Sequence, residues 1–365
     1  LSHCRLTRNS LTQDAFRGPY DPADSDDPLH PLELLDLSHN LLDILDNHAF
    51  NHLTRLKVLI ISDNPFHDFT SDTARAFNEL TGLEELDLSR TGLKRIPQQF
   101  LAGMKNLKKL VLEGNKFITV PQEVNFAKTL HTLILDNNPI VTISPTQHSA
   151  FHGPESLTTL SLSNMPKLET IQRESFNGLH NLSTISISNN PRLRSISKLA
   201  FIDTDNIKNV YLHSNRLTTL STDLLNWGAV EKLDMQHNPW HCDCHILWMT
   251  QELLPRMMKD EPELTTYITC AAPLETLGRN IKVLMRDDYY FPCPSGEGLP
   301  MNPNYYGPLI VVTIFVGALL LLAATLLCTY VLYQNAKGAG LSTIPVRYRR
   351  AEEGDVESIT QNIHT

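Results

Sequence analysis

The sequence lacks the short motifs that mark the common catalytic sites. It contains no G-x-S-x-G, no H-E-x-x-H and no phosphate-cradling glycine loop. Its 15 histidines are spread along the chain without metal-ligand spacing, apart from His241 and His245 beside two cysteines. The sequence therefore predicts a protein that is not an enzyme and that has no cofactor and no metal site.

Basic clusters and an export signal are also missing. The chain carries 31 Lys and Arg against 40 Asp and Glu, and no basic block precedes the C-terminal tail, which argues against a nucleic-acid partner. It begins at Leu1 inside a repeated pattern, with no signal peptide. Because export requires such a signal, we interpret the sequence as a fragment or a processed form.

One repeated pattern is abundant instead. Leu107, Leu110, Leu112, Asn115 and Phe117 have a spacing that returns 23 residues later and, in variant form, from residue 1 to residue 240. No single copy buries its own apolar face, so neighbouring copies must stack into a solenoid. The copies begin at Leu1, Leu32, Leu56, Leu83, Leu107, Leu130, Leu157, Leu182, Ile207 and Val230.

Each position within a copy has a predicted role. Because strand side chains alternate, Leu110 and Leu112 point inward and Lys109 and Val111 point outward. Cys4 falls at an inward leucine position, which predicts a buried thiol. A ladder of asparagines is expected to satisfy backbone groups at the turns. Its members are Asn9, Asn40, Asn64, Asn115, Asn138, Asn190, Asn215 and Asn238. A phenylalanine stack is expected on the return path, formed by Phe16, Phe50, Phe77, Phe100, Phe126, Phe151, Phe176 and Phe201.

The pattern L-x-x-L-x-L-x-x-N-x-L resembles that of the extracellular leucine-rich repeat family. The resemblance implies an α/β repeat fold, a horseshoe-shaped solenoid with a parallel β-sheet on its concave face. It assigns residues 1–237 to about ten repeats, the first of them truncated at its N-terminal side.

Residues 238–293 resemble the C-terminal cysteine-rich cap of the same family, which closes the exposed end of the apolar core. The resemblance implies disulfides between Cys242 and Cys270 and between Cys244 and Cys293. Two cysteines two residues apart cannot readily bridge each other, so both are expected to pair forward. Zinc bound by the run from His241 to His245 is the alternative.

A long apolar run follows the cap. Residues 309–333 contain no charged side chain and are long enough to cross a bilayer as a helix. Basic residues are concentrated after this run, so the positive-inside rule predicts an extracellular N-terminal part and a cytoplasmic tail at residues 334–365. Residues 294–308 would form a juxtamembrane linker. A buried core helix is the alternative for the apolar run.

Outward strand positions are not needed for the core, so apolar residues there are candidates for ligand binding. The predicted site on the concave face comprises Val58, Ile60, Lys109, Val111, Glu113, Thr132, Ile134 and Asp136. An acidic group of Asp36, Glu85 and Asp87 is expected between its two apolar pairs. The alternative is that β-branched residues simply suit strands. Asn181 begins the only N-glycosylation sequon, Asn181-Leu182-Ser183.

Together these features predict a single-pass type I protein of the plasma membrane. The resemblance is to cell-surface proteins of the adhesion, matrix-organising and receptor kinds. Its predicted function is to bind an extracellular or cell-surface protein in cell adhesion or matrix organisation, an interpretation that the short tail favours. The alternative is a signalling receptor or co-receptor that relays through a partner's cytoplasmic domain. A homodimer is a further partner that this interpretation allows.

Overall fold

The computed structural model describes residues 1–13, 15–16, 32–98, 100–145, 151, 153–293 and 303–338. The chain divides into two units, Leu1–Leu299 and Pro300–Thr365. The predicted cytoplasmic tail beyond residue 338 and most of the predicted linker lie outside the described residues.

A nine-stranded parallel sheet organises the first unit. Each strand has three residues, and its central residue is buried between two outward neighbours. The strands follow one another across the sheet in chain order, as the predicted horseshoe requires. They are β1 (Leu34–Asp36), β2 (Val58–Ile60), β3 (Glu85–Asp87), β4 (Lys109–Val111), β5 (Thr132–Ile134), β7 (Thr159–Ser161), β9 (Thr184–Ser186), β11 (Asn209–Tyr211) and β12 (Lys232–Asp234).

Inward leucines and a ladder of buried asparagines hold successive repeats together. Leu110 and Leu112 are fully buried, as the alternation predicts. The Asn64 side-chain amide donates to the carbonyl oxygens of Leu37 and Ile61, at 2.9 and 3.0 Å, and its oxygen accepts from the Leu42 amide at 3.0 Å. One side chain thus satisfies backbone groups of two repeats, which would otherwise be buried without partners.

The first repeat has a different phase from the one predicted, so Asn9 and Cys4 are corrected. The Asn40 side chain accepts from the amides of Cys4 and Leu6 and donates to the Leu1 carbonyl. By comparison with Asn64, which donates to the Leu37 carbonyl, Leu1 corresponds to Leu37, the residue directly after a strand. Cys4 therefore occupies the position of a ladder asparagine. Cys4 is exposed rather than buried. Asn9 lies in a short, exposed 3₁₀-helix, Arg8–Ser10, and takes no part in the ladder.

The return path contains a second, three-stranded parallel sheet, in the order β10, β8, β6. Its strands are β6 (Thr142–Ile143), β8 (Thr170–Ile171) and β10 (Ser195–Ile196). Elsewhere in the described repeats the return path uses turns and short helices, including α1 (Ser71–Ala76). Thr70 caps α1, because its side chain accepts a hydrogen bond from the Thr73 amide.

The predicted phenylalanine stack forms in two parts. Ring centroids lie 5.4 Å apart between Phe50 and Phe77 and 4.5 Å apart between Phe176 and Phe201. Phe126 lies outside the stack, with 50% of its surface exposed, and Phe16 is partly buried against the core. The 3₁₀-helix Gln122–Phe126 turns Val124 into the core instead, so the inference that Phe126 belongs to the stack was wrong.

The cap completes the last repeat. The His237 amide donates to the Tyr267 carbonyl at 3.0 Å, where earlier repeats use a carbonyl of the next repeat. Disulfides join Cys242 to Cys270 and Cys244 to Cys293, the pairings implied by the resemblance. All four sulfurs are therefore bonded in pairs and leave no thiolate for zinc. The cap contains β13 (Trp240–His241), α2 (Leu254–Asp260), β14 (Cys270–Ala272) and α3 (Ile281–Arg286).

The second unit contains α4 (Pro303–Gly338), a helix of 36 residues. Its segment Ile314–Gln334 has a mean hydropathy of 2.4, and none of it is buried. By length and composition this segment is suited to cross a membrane.

Candidate functional site

The central strands bring most of the predicted site together. Val111 on β4 pairs in register with Ile134 on β5, and Lys109 pairs with Thr132. Glu113 and Asp136 lie two residues beyond the ends of these two strands. Since β4 and β5 are the fourth and fifth of nine strands, this group lies at the middle of the sheet. We call the group Val111, Ile134, Lys109, Thr132, Glu113 and Asp136 the central patch; all six side chains are half-buried.

The other predicted apolar pair, Val58 and Ile60, is separate from the central patch. It lies on β2, and the acidic residues Glu85 and Asp87 of β3 stand between the two groups. The expectation that Asp36 also lies between them was wrong. Asp36 is on β1, where it pairs with Ile60 from the opposite side.

An ion-pair chain borders the central patch. Arg90 binds both carboxylate oxygens of Asp63, at 2.8 and 2.7 Å, and its guanidinium lies 3.9 Å from the Glu113 carboxylate. The hydrogen bond from Arg90 holds the pKa of the Asp63 carboxyl below its ordinary value. Lys109 binds Glu85 at 3.2 Å. The cations at this edge are thus already paired within the chain.

A glycine makes this arrangement possible. Gly114 has a backbone φ of +67°, and a Cβ added there would lie 2.6 Å from the Arg90 Cγ. The left-handed backbone favours glycine, and the missing side chain leaves room for the stem of Arg90.

Asp136 has an unusual environment. Burial raises the pKa of its carboxyl above the ordinary value, although a hydrogen bond from the Ser163 amide at 2.8 Å and another from the Ser161 hydroxyl oppose that effect. Within the described ranges, no cation forms an ion pair with Asp136 or with Asp87. Among the described residues, the central patch therefore combines two apolar side chains with the Asp136 carboxylate, which has no counter-ion. Its other carboxylate, Glu113, faces Arg90, and Asp87, also without a counter-ion, borders the patch.

Asp136 was among the predicted site residues, but its burial and its lack of a counter-ion were not predicted. The signal was its position: the corresponding residue of most other repeats is a small serine, as at Ser38, Ser62, Ser89, Ser163 and Ser188. A serine fits that half-enclosed position without carrying charge, whereas an aspartate places a carboxylate there.

The two strands that follow β5 in the sheet, β7 and β9, present a neutral surface. Thr159, Ser161, Thr184 and Ser186 line β7 and β9, and Tyr211 follows on β11. Hydroxyl groups here bond one another: the oxygens of Ser163 and Ser186 lie 2.8 Å apart. From the central patch to β9 the sheet thus changes from a charged and apolar surface to a hydroxyl-lined one, and charge returns on β12 with Lys232 and Asp234.

Asn181 lies outside the central patch, directly before the inward residue Leu182. Its side chain is exposed, and its amide donates to the Glu155 carbonyl of the preceding repeat at 2.8 Å. Asn106 and Asn206 make equivalent bonds, to Thr81 and His180. A structural role therefore accompanies the sequon at this position.

Comparisons with known proteins follow the same repeats. The leucine-rich repeat family model matches residues 26–66, 68–117 and 128–191. Human leucine-rich repeat-containing protein 66 is 32% identical over 152 residues, which are 37% of this chain and 17% of that protein. Tsukushi of Xenopus tropicalis is 32% identical over 143 residues, 39% of each chain. The chain therefore spans less than half the length of these curated relatives.

Among solved structures, a chain of the Toll–Spätzle complex from Drosophila overlaps with a TM-score of 0.47 at 24% sequence identity. The overlap covers 59% of this chain and 31% of that one.

Proposed function

Because the chain belongs to the extracellular leucine-rich repeat family, we propose that it is a cell-surface protein that binds a protein ligand at the central patch. The proposed role is in cell adhesion or matrix organisation. The proposal is for binding rather than catalysis, with the ligand supplied by the extracellular space or by another cell.

The pairing of Val111 with Ile134 carries this proposal. Their inward neighbours Leu110 and Leu133 are fully buried and already supply the core, so two outward apolar residues side by side are not needed for folding. Such residues near the middle of an interface lose the most water on binding and usually contribute most of the affinity.

The charges around this pair define the kind of ligand surface that fits. Asp87 lies beside Val111 on β3, and Asp136 follows Ile134 by two residues. Both are free of ion pairs within the described residues. A ligand that presents an apolar side chain next to a lysine or arginine would satisfy both features. Nine strands at about 4.8 Å span roughly 38 Å, which is ample for an interface of standard size.

We also propose that α4 anchors the protein in the plasma membrane as a single-pass type I segment. The apolar segment Ile314–Gln334 supports the span, and the basic residues Lys337, Arg347, Arg349 and Arg350 after it support a cytoplasmic C-terminus. We further propose a glycan on Asn181. The substitution Asn181→Gln should abolish a glycosidase-sensitive shift in gel mobility, and a shift that persists would contradict the glycan.

The experiment that tests the ligand site changes Val111 and Ile134 together to Asp in the full chain expressed on cells. Both side chains point away from the core, so surface expression should survive. Binding of soluble partner candidates, identified by proximity labelling on intact cells, should fall more than about tenfold, or ~1.4 kcal/mol.

The matched control changes Thr184 and Ser186 to Asp on β9. This variant adds the same charge to the same sheet outside the central patch, so binding should stay within about threefold of the parent, or ~0.7 kcal/mol. Equal losses in both variants would indicate a general effect of charge. Unchanged binding by the Val111 and Ile134 variant would exclude the central patch.

A further inference from the structure

The cap concentrates exposed apolar side chains. Five of the twelve large apolar residues exposed in the described part of the first unit lie in the 24 residues from 267 to 290. They are Tyr267, Leu274, Leu277, Val283 and Tyr290. Leu274 is the most exposed of the twelve, at 82%, whereas the repeats bury nearly all of their leucines.

Leu274 and Leu277 lie on one short turn, which a buried threonine and a nearby disulfide hold in place. Leu277 directly follows the 3₁₀-helix Leu274–Thr276, and its amide donates to the Leu274 carbonyl at 3.3 Å, so the two leucines lie one turn apart. Thr276 within it is fully buried, and its hydroxyl donates to the Pro273 carbonyl at 3.1 Å. Cys270, four residues before Leu274, is fixed by its disulfide to Cys242.

A second segment with an exposed aromatic ring adjoins this turn. The Arg279 guanidinium lies 5.8 Å from the centre of the Tyr289 ring, which links the end of the turn to the neighbour of Tyr290. Tyr290 is 69% exposed. Leucine and tyrosine side chains together are typical of surfaces that lie at a bilayer interface, because the ring is apolar and its hydroxyl remains hydrated.

A short stretch of sequence joins the cap to the proposed membrane span. In the sequence, 21 peptide steps separate Cys293 in the cap from Ile314, where the apolar segment begins. A tethered surface meets the bilayer at a high effective concentration, so two leucines and one tyrosine are sufficient for contact even if they could not recruit a free protein.

The nearby charges favour a bilayer without net charge. Glu275, Asp287 and Asp288 balance Arg279, Lys282 and Arg286 in this part of the cap. Arg279 and Arg286 both lie near Asp287, at 3.5 and 3.4 Å. The surface therefore has no excess charge that would select an acidic or basic protein partner.

We propose that the turn bearing Leu274 and Leu277, together with Tyr290, docks on the outer leaflet of the membrane and inserts its two leucines at the lipid interface. This inference rests on the proposed membrane anchoring by α4. Docking would fix the cap against the bilayer and so restrict the directions in which the central patch faces.

The test uses full-length protein reconstituted in phosphatidylcholine vesicles, with an environment-sensitive dye on one cysteine at a time. The parent for the first two labelled proteins has Cys4→Ser and Cys328→Ser, so that only an introduced cysteine reacts. One carries Leu274→Cys, and the matched control carries Ile118→Cys, a position on the repeats that is 68% exposed. A third has Cys4→Ser alone and is labelled at the native Cys328.

Lipids with a spin label on the acyl chain should quench the dye at position 274 at least about twofold more than the dye at position 118. Adding Leu277→Asp should reduce quenching at position 274 to the level of the control. Equal quenching at positions 274 and 118, or quenching unchanged by Leu277→Asp, would overturn the docking.

The dye at Cys328 separates the two proposals. Strong quenching there together with none at position 274 would retain the anchor and refute docking. Absence of quenching at Cys328 would refute the anchor and, with it, the docking that depends on it.

Discussion

The side-chain nitrogen of Asn115 lies 2.8 Å from the carbonyl oxygen of Leu88 in the preceding repeat. The same nitrogen is 3.0 Å from the Leu112 carbonyl of its own repeat, and the side-chain oxygen accepts from the amides of Thr91 and Leu93. A single buried amide thus connects two repeats through their backbones. Removing it would leave several buried groups without partners.

We therefore expect Asn115→Ala to lower the free energy of unfolding by about 2–4 kcal/mol, since two buried backbone amides lose their acceptor. Denaturant unfolding would measure the change. The control is Asn106→Ala, which removes one exposed hydrogen bond to the Thr81 carbonyl and should cost less than about 0.5 kcal/mol. Equal effects of the two substitutions would show that the buried ladder is not a main source of stability.

The disulfides should stabilise the last repeats more than the first. Replacing Cys242 and Cys270 by Ser should cost about 2–5 kcal/mol, because the cap closes the exposed end of the core. Hydrogen exchange should then rise at β12 before it rises at β2. Cys328→Ser, which alters a cysteine outside the disulfides, is the control. Uniform exchange across all strands of the double variant would contradict protection by the cap.

Asp136 gives a prediction for pH dependence. Its folded pKa is raised by burial, so the folded state binds a proton more readily than the unfolded state does. The cost of its charged form is therefore present at neutral pH and is relieved as pH falls through the folded pKa towards the ordinary value of 3.8. Asp136→Asn keeps an acceptor for the Ser163 amide and should raise the melting temperature at pH 7.

The advantage of the Asp136→Asn variant over the parent should shrink on acidification below the folded pKa. Thermal unfolding at a series of pH values would measure it, with the exposed Asp205→Asn as the control. A lower melting temperature at pH 7 would mean that hydrogen bonds to the carboxylate outweigh its burial. A weaker affinity for the ligand in the same variant would show that the carboxylate is retained for binding.

The repeat fold could be predicted from sequence because its signal is redundant. Inward leucines such as Leu110 and Leu133 recur at one spacing, and a strand shifted by one residue would expose all of them. The first repeat lacked this redundancy. Leu1, Leu6, Asn9 and Leu11 fit the pattern by chance, whereas the backbone register is set by Asn40 in the following repeat.

Other features could not be predicted from a periodic pattern. Phe126 has the expected spacing, yet a local 3₁₀-helix selects Val124 for the core. The return-path strands β6, β8 and β10 depend on pairing between repeats that no single copy shows. The outward positions of the central patch followed from strand alternation, whereas the missing counter-ion of Asp136 depends on where the side chains of neighbouring repeats lie.

The one-directional order of the nine-stranded sheet also determines how this protein would respond to mechanical tension. A pull between the first repeats and the proposed membrane anchor would load one pair of strands at a time, because each strand bonds only to its neighbours. The repeats would peel away in sequence, each lengthening the chain by one repeat. The cross-linked loops Cys242–Cys270 and Cys244–Cys293 would stay closed and stop the extension before it reached the anchor. Under load the protein would therefore lengthen in steps of one repeat.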